Sequence, residues 1–189
     1  LGDVYKRQLL SCLWYLCCLP VVTAGAATTA LYYVTLKMAR GQEGQLIPAF
    51  FHSFKQNLKQ ATALWVGYLA VGILLVLDLV ICLQTSSVFA GAMFFTSVVL
   101  LACWALFITM LFPLVAQCDN TIGALFKMGI AMALRNVMPV LAALMVTVAF
   151  FAVGVFVFWP VLLVAPGLAS YCNAFLFNRI FDKYGMTLE

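Results

Sequence analysis

Charge is what this sequence has least of. Only 8% of its 189 residues are Asp, Glu, Lys or Arg, against about 25% in an ordinary soluble domain. Histidine occurs once, at position 52, and acidic residues number six. Seven cysteines stand at 12, 17, 18, 82, 103, 118 and 172, with no CxxC pair among them. So few ligating residues argue against a zinc or iron–sulfur site, and no cofactor or metal is expected. A thiol in an apolar run acts as a small hydrophobe. His52 has no acidic neighbour and no glycine-rich phosphate loop occurs, so no nucleophile–base pair or nucleotide cradle can be drawn. The chain reads as a non-enzyme without a nucleic-acid partner.

Apolar residues fill the space: 66% of the chain, with a mean hydropathy of +1.12. A water-soluble protein of this length cannot hide that much apolar surface, whereas a lipid bilayer covers it. The expected fold is all-α, a polytopic transmembrane bundle of about five to six spans with two interfacial amphipathic helices. Residues 1–8, Leu-Gly-Asp-Val-Tyr-Lys-Arg-Gln, fit a translated sequencing-library adaptor and are read as non-native. Residues 9–189 then form one membrane domain whose first span is truncated. Without Asp3, Lys6 and Arg7 the net charge is +3.

Along the chain, the apolar run 9–19 breaks at Pro20, and 21–36 follows with a small-residue face around Gly25. The stretch 37–60 is the most polar and includes Glu43. Within it Pro48 suits a first helical turn. Phe50, Phe54 and Leu58 recur at spacing four beside Phe51, while His52, Lys55, Gln56 and Lys59 point elsewhere. That pattern predicts the first interfacial helix. Residues 61–83 form a clear span, 84–87 a polar turn, and 88–116 a second long segment with Pro113 near its end. Asp119, Asn120 and Thr121 offer N-cap oxygens to the second interfacial helix. A third span covers 137–159 and a last one 160–178.

The basic residues beyond position 8 fall in 37–59, 127–135 and 179–183, and the connections at 84–87 and 159–160 carry none. Pairs of spans place all three regions on one side, and the positive-inside rule makes it the cytoplasm, with the C-terminus inside. Lys37, Arg40, Lys55 and Lys59 form a candidate basic patch. It enforces topology, or else meets anionic lipid or a cytoplasmic partner at about 1 kcal/mol per cation.

Asp78 is the only acid well inside a clear span, where an unpaired carboxylate costs on the order of 2.5–3.5 kcal/mol. Its expected partners are Gln84, Thr85, Thr96 and Ser97. A proton or cation site is one reading, and a hydrogen-bonded carboxyl near the outer interface is the favoured one. Ser170, Tyr171 and Asn173 bring polarity into the last span, where such groups more often bond across helices than bind solute. Candidate helix breaks are Pro20, Gly25, Pro160, Pro166 and Gly167. Gly25, Ala27 and Lys37 occupy the same relative places as Gly167, Ala169 and Arg179, either a faint internal echo of the kind that marks repeat-built transporters or a coincidence in a chain rich in Ala and Gly.

The run Leu19-Pro20-Val21-Val22-Thr23-Ala24-Gly25-Ala26, then 28–37, resembles the YesL family (DUF624). Residues 51–62 and the ending Asn178-Arg179-Ile180-Phe181 extend the resemblance over nearly all of 9–189. It implies a small bacterial plasma-membrane protein encoded near sugar-binding and ABC-importer components, and it assigns no site residue. Three function classes follow. The first is a non-enzymatic accessory of a carbohydrate importer, touching its permease subunits. The second is a small transporter or channel acting as a homo-oligomer. An intramembrane enzyme is third and lacks a polar constellation.

Overall fold

The computed structural model describes residues 2–42, 44–85, 88–118 and 120–186. Among these the secondary structure is helical throughout: α1 Gly2–Cys18, α2 Ala24–Ala39, α3 Leu46–Gln84, α4 Val88–Gln117, α5 Ile122–Arg135, α6 Val137–Phe156 and α7 Ala165–Lys183. Short 3-10 turns at Val21–Thr23 and Trp159–Leu163 introduce α2 and α7. Glu43, the serines of the 84–87 turn, the Asp119 cap and Glu189 lie outside the described residues.

Three helices are long and apolar enough to cross a membrane: α3, α4 over Gly91–Gln117, and α6. The protein is an all-helical membrane bundle. Much of the long apolar helices is uncovered: α3 has seven buried residues in 39 and α6 three in 20, while α4 is buried mainly over 110–116. The more polar α2 and α7 hold the centre, with 10 and 11 buried residues respectively. Lipid takes the place of a core around α3, α4 and α6, so those helices need apolar side chains on every face. The inner helices need small ones that let backbones approach.

Local chemistry makes burial of α2 feasible. Thr28, Thr29 and Thr35 each return their hydroxyl to a carbonyl one turn back, at 2.8, 3.0 and 2.9 Å, so no polar hydrogen is stranded. Both inner helices stop at a glycine in the left-handed region, Gly41 (φ 70) and Gly185 (φ 68). The next amides, of Gln42 and Met186, close back onto Lys37 O and Phe181 O at 3.0 Å each, the six-to-one bond of a Schellman end.

Two sequence expectations change. The first interfacial helix and the span after it are one continuous helix, the 39 residues of α3, about 58 Å long against a hydrocarbon layer of about 30 Å. Lys55 and Lys59 mark a change of depth and do not end a helix, because 49–66 contains no Pro or Gly to break it. Nor does its apolar face lie on lipid. Phe50 is fully buried among Leu10, Ala30, Leu31 and Val34, and Phe54 and Leu58 are half-buried. The buried stripe is Phe50, Ser53, Asn57, Ala61, Leu64, Tyr68 and Gly72, the alternating three-and-four spacing of packed helices. Asn57 meets that burial by donating to Ser53 O at 3.1 Å. The expected last span starts later than 160 and runs further, as α7, because Pro160 sits in the 3-10 turn and Pro166 in the first turn of α7.

Candidate functional site

Of the sequence-predicted residues, Asn173 and Arg40 lie on the seam between α2 and α7, with Ser170 and Tyr171 nearer the start of α7. These helices run parallel: Tyr32 meets Asn173, Leu36 meets Asn178, and Arg40 meets Asp182, in rising order along both. Asn173 is fully buried. Its Nδ2 donates to Thr147 Oγ1 of α6 at 2.8 Å and, at the limit of hydrogen bonding, to Tyr32 Oη at 3.5 Å. Among the described residues its Oδ1 has no partner, and neither has the Oδ1 of Asn178. Asn178 Nδ2 reaches the Leu36 carbonyl at 3.1 Å. Ser170 bonds within its own helix, to Gly167 O at 3.1 Å. Tyr171 stacks edge-on with Phe175 and lies 4.4 Å under the Arg7 guanidinium.

All five candidate breaks act at the two turns that open α2 and α7. Pro20 O accepts from the Thr23 amide and hydroxyl, both at 2.9 Å. A side chain at Gly25 would meet Trp65 Cβ at 2.5 Å and Ala61 O at 2.7 Å. One at Gly167 would meet Arg7 O and Ser11 Oγ, each at 2.5 Å. Each turn is pinned by an aromatic donor from another helix. Trp65 Nε1 binds Val21 O at 2.8 Å, and Tyr15 Oη binds Leu162 O at 2.6 Å. Those carbonyls stand 141 residues apart, close to the 142 that separate Gly25 from Gly167. The internal echo is therefore structural: a proline turn pinned by an aromatic, a buried parallel helix, and a glycine end. Sequence reasoning missed Tyr15, Trp65, Tyr32 and Thr147. Their one advance signal was a polar tip on an aromatic or β-branched body inside an apolar run.

The proposed basic patch divides. Arg40 pairs with Asp182 at 2.9 Å, with side chains 14% and 61% exposed, and also reaches Met186 O. Lys37 lies 4.7 Å from the Tyr33 ring centroid. Arg40 ties the end of α2 to α7 and Lys37 lies over a ring of its own helix, whereas Lys55 and Lys59 are exposed on α3, on a flank of their own. Further links join the same end of the bundle, Gln117 to Met186 O at 2.9 Å and Asn136 to Tyr184 Oη at 3.2 Å.

Asp78 lies apart, on the distal half of α3. It is half-exposed and accepts a hydrogen bond from Ser97 of α4, one of the four partners named from sequence. No residue of 73–84 is buried, and among the described residues of 89–103 only Ser97 is. The distal halves of α3 and α4 thus form an apolar hairpin that shares its burial with nothing beyond itself. Near its base Tyr68 stacks on Trp104 with centroids 3.8 Å apart, and Gly72 gives the Trp104 ring its place.

No curated protein and no solved structure matches this chain. The model of one family, described as "Protein of unknown function, DUF624", matches residues 8–79, from the first helix into the distal half of α3. That segment is similar to the DUF624 family, consistent with the YesL resemblance its proline turn and 51–62 run had suggested.

Proposed function

We propose that this protein is a non-enzymatic accessory subunit of a carbohydrate ABC importer in the bacterial plasma membrane, with its C-terminus in the cytoplasm. The observation that carries the reading is the exposed α3–α4 hairpin. Fifteen or so large apolar side chains along it, from Val71 to Leu100, are 38–75% exposed, a face open to a partner's helices as well as to lipid inside a bilayer. The buried polar side chains Asn173 and Asn178, by contrast, donate to groups on the chain's own neighbouring helices. The neighbourhood of importer components implied by the YesL resemblance supplies the partner class, the permease subunits.

A second reading has one observation behind it. Two proline-opened helices in repeat, with Asn173 on the seam between them, is the arrangement in which transporters place a midplane site. In that reading the chain moves a solute as a homo-oligomer.

Affinity purification from mild detergent, followed by mass spectrometry, separates the two. Permease subunits should co-purify in stoichiometric amount. A lone homo-oligomer that moves solute in proteoliposomes would overturn the accessory reading and establish the other.

A further inference from the structure

Where α5 folds back beside α3 and α4 the three helices enclose a groove of about 340 Å³, lined by Ala63, Gly67, Trp104, Phe107, Ile122 and Phe126 among others. Phe126 packs edge-on against Phe107 at 4.9 Å. Gly67 leaves the α3 wall bare: among the described residues no atom beyond its own stretch of helix stands within 4 Å of where its side chain would be. These walls accept an apolar body and offer it almost no hydrogen bond.

The mouth of the groove is different. Lys59 lies one helical turn before Ala63 on the same face of α3 and is exposed, as is Lys55 a turn further out. The Gln60 amide donates to the Asn120 carbonyl, which holds the beginning of α5 against the turn of α3 that carries Lys59. Thr121 makes no side-chain cap there, so the first amides of α5 add positive potential. Lys127 follows, exposed, in the next turn. In the sequence flanking this mouth three lysines stand against one acid, Asp119.

We propose that this groove binds an anionic phospholipid. One acyl chain lies between the Ala63–Gly67 strip of α3 and Ile122 and Phe126 of α5, and the phosphate meets Lys59 at the start of α5. Charge confined to one end of an otherwise apolar cleft matches the charge distribution of a lipid. A partner helix would fill the cleft with side chains along its whole length and would have no need of cations at one mouth. The site does not depend on the importer reading.

Trp104 lines the groove and reports on it. The full chain is reconstituted in phosphatidylcholine vesicles doped with phosphatidylglycerol, one lipid or the other carrying bromine on its acyl chain, and the Trp104 share of fluorescence quenching is taken by difference from Trp104→Phe. Brominated phosphatidylglycerol should quench more strongly per lipid than brominated phosphatidylcholine. Lys59→Gln should lower that preference about fivefold. Gly67→Leu enters open space, leaves the fold intact, and should remove Trp104 quenching by both lipids. Equal quenching by the two lipids in the unaltered protein overturns the proposal. So does Trp104 quenching that neither substitution changes, or a co-purifying polypeptide that must be released before any lipid quenches.

Discussion

Gly25 and Gly67 sit on apolar helices of one bundle, and their surroundings give them opposite roles. At Gly25 an added carbon collides with Trp65 and the Ala61 backbone, whereas at Gly67 it meets nothing. Gly25→Val should therefore push α2 off α3 and cost about 1–3 kcal/mol. Gly67→Leu should stay within about 0.5 kcal/mol. Thermal unfolding in detergent compares them, and equal losses would refute the packing account. Asn173 offers a similar contrast. Asn173→Ala gives up the bond to Thr147 and the long one to Tyr32 and also removes an orphaned oxygen, so a loss of about 1 kcal/mol or less is expected. Asn173→Asp places a carboxylate at a site with no exposure and should cost several kcal/mol, read from the same melts. For Asp78, the Ser97 hydroxyl can donate to an amide oxygen as well as to a carboxylate. Asp78→Asn is expected to leave melting temperature and cellular phenotype unchanged. A lost phenotype in a normally folded variant would instead make Asp78 a proton or cation site.

At the scale of elements, the pairing of α2 with α7 is the organising contact, and Arg40–Asp182 fastens its end. Because Asp182 is mostly exposed, the pair is weak, about 0.2–1 kcal/mol, and salt screens it. A double-mutant cycle with Arg40→Ala and Asp182→Ala should return a coupling in that range at low salt and less at high salt. A coupling that ignores salt would mean the pair is shielded from solvent. The continuity of α3 follows from the same kind of accounting. Its 39 residues outrun one bilayer crossing, so the half bearing Lys55 and Lys59 stays with α1 and α2 while the other half extends into the hairpin. The charged residues set depth, and packing against α2 keeps the helix whole.

For the whole molecule, contacts among the ends of α2, α4 and α7 and the start of α6 bring Arg40, Asp182, Asn136 and Gln117 to one end. The three basic regions read from sequence therefore need only one membrane face. With that face inside, green fluorescent protein fused after Glu189 should be fluorescent. A dark fusion, with periplasmic-type reporters active at the same point, would reverse the orientation.

The sequence by itself determined that this chain is a helical membrane protein, where most of its helices begin, and which family its first part resembles. Those features follow from hydropathy, from proline and glycine, and from a local motif, all of which act between near neighbours in the chain. Only the tertiary structure decided which helices are inner and which face lipid. Composition alone pointed to α3, α4 and α6 as the substance of the bundle, yet the more polar α2 and α7 occupy its centre. In a bilayer an apolar side chain is equally at home against lipid or protein, so hydrophobicity does not distinguish the two. The split of the basic patch and the bonds of Asn173 were hidden for a related reason. Each depends on residues more than twenty positions apart, and only packing sets their distance.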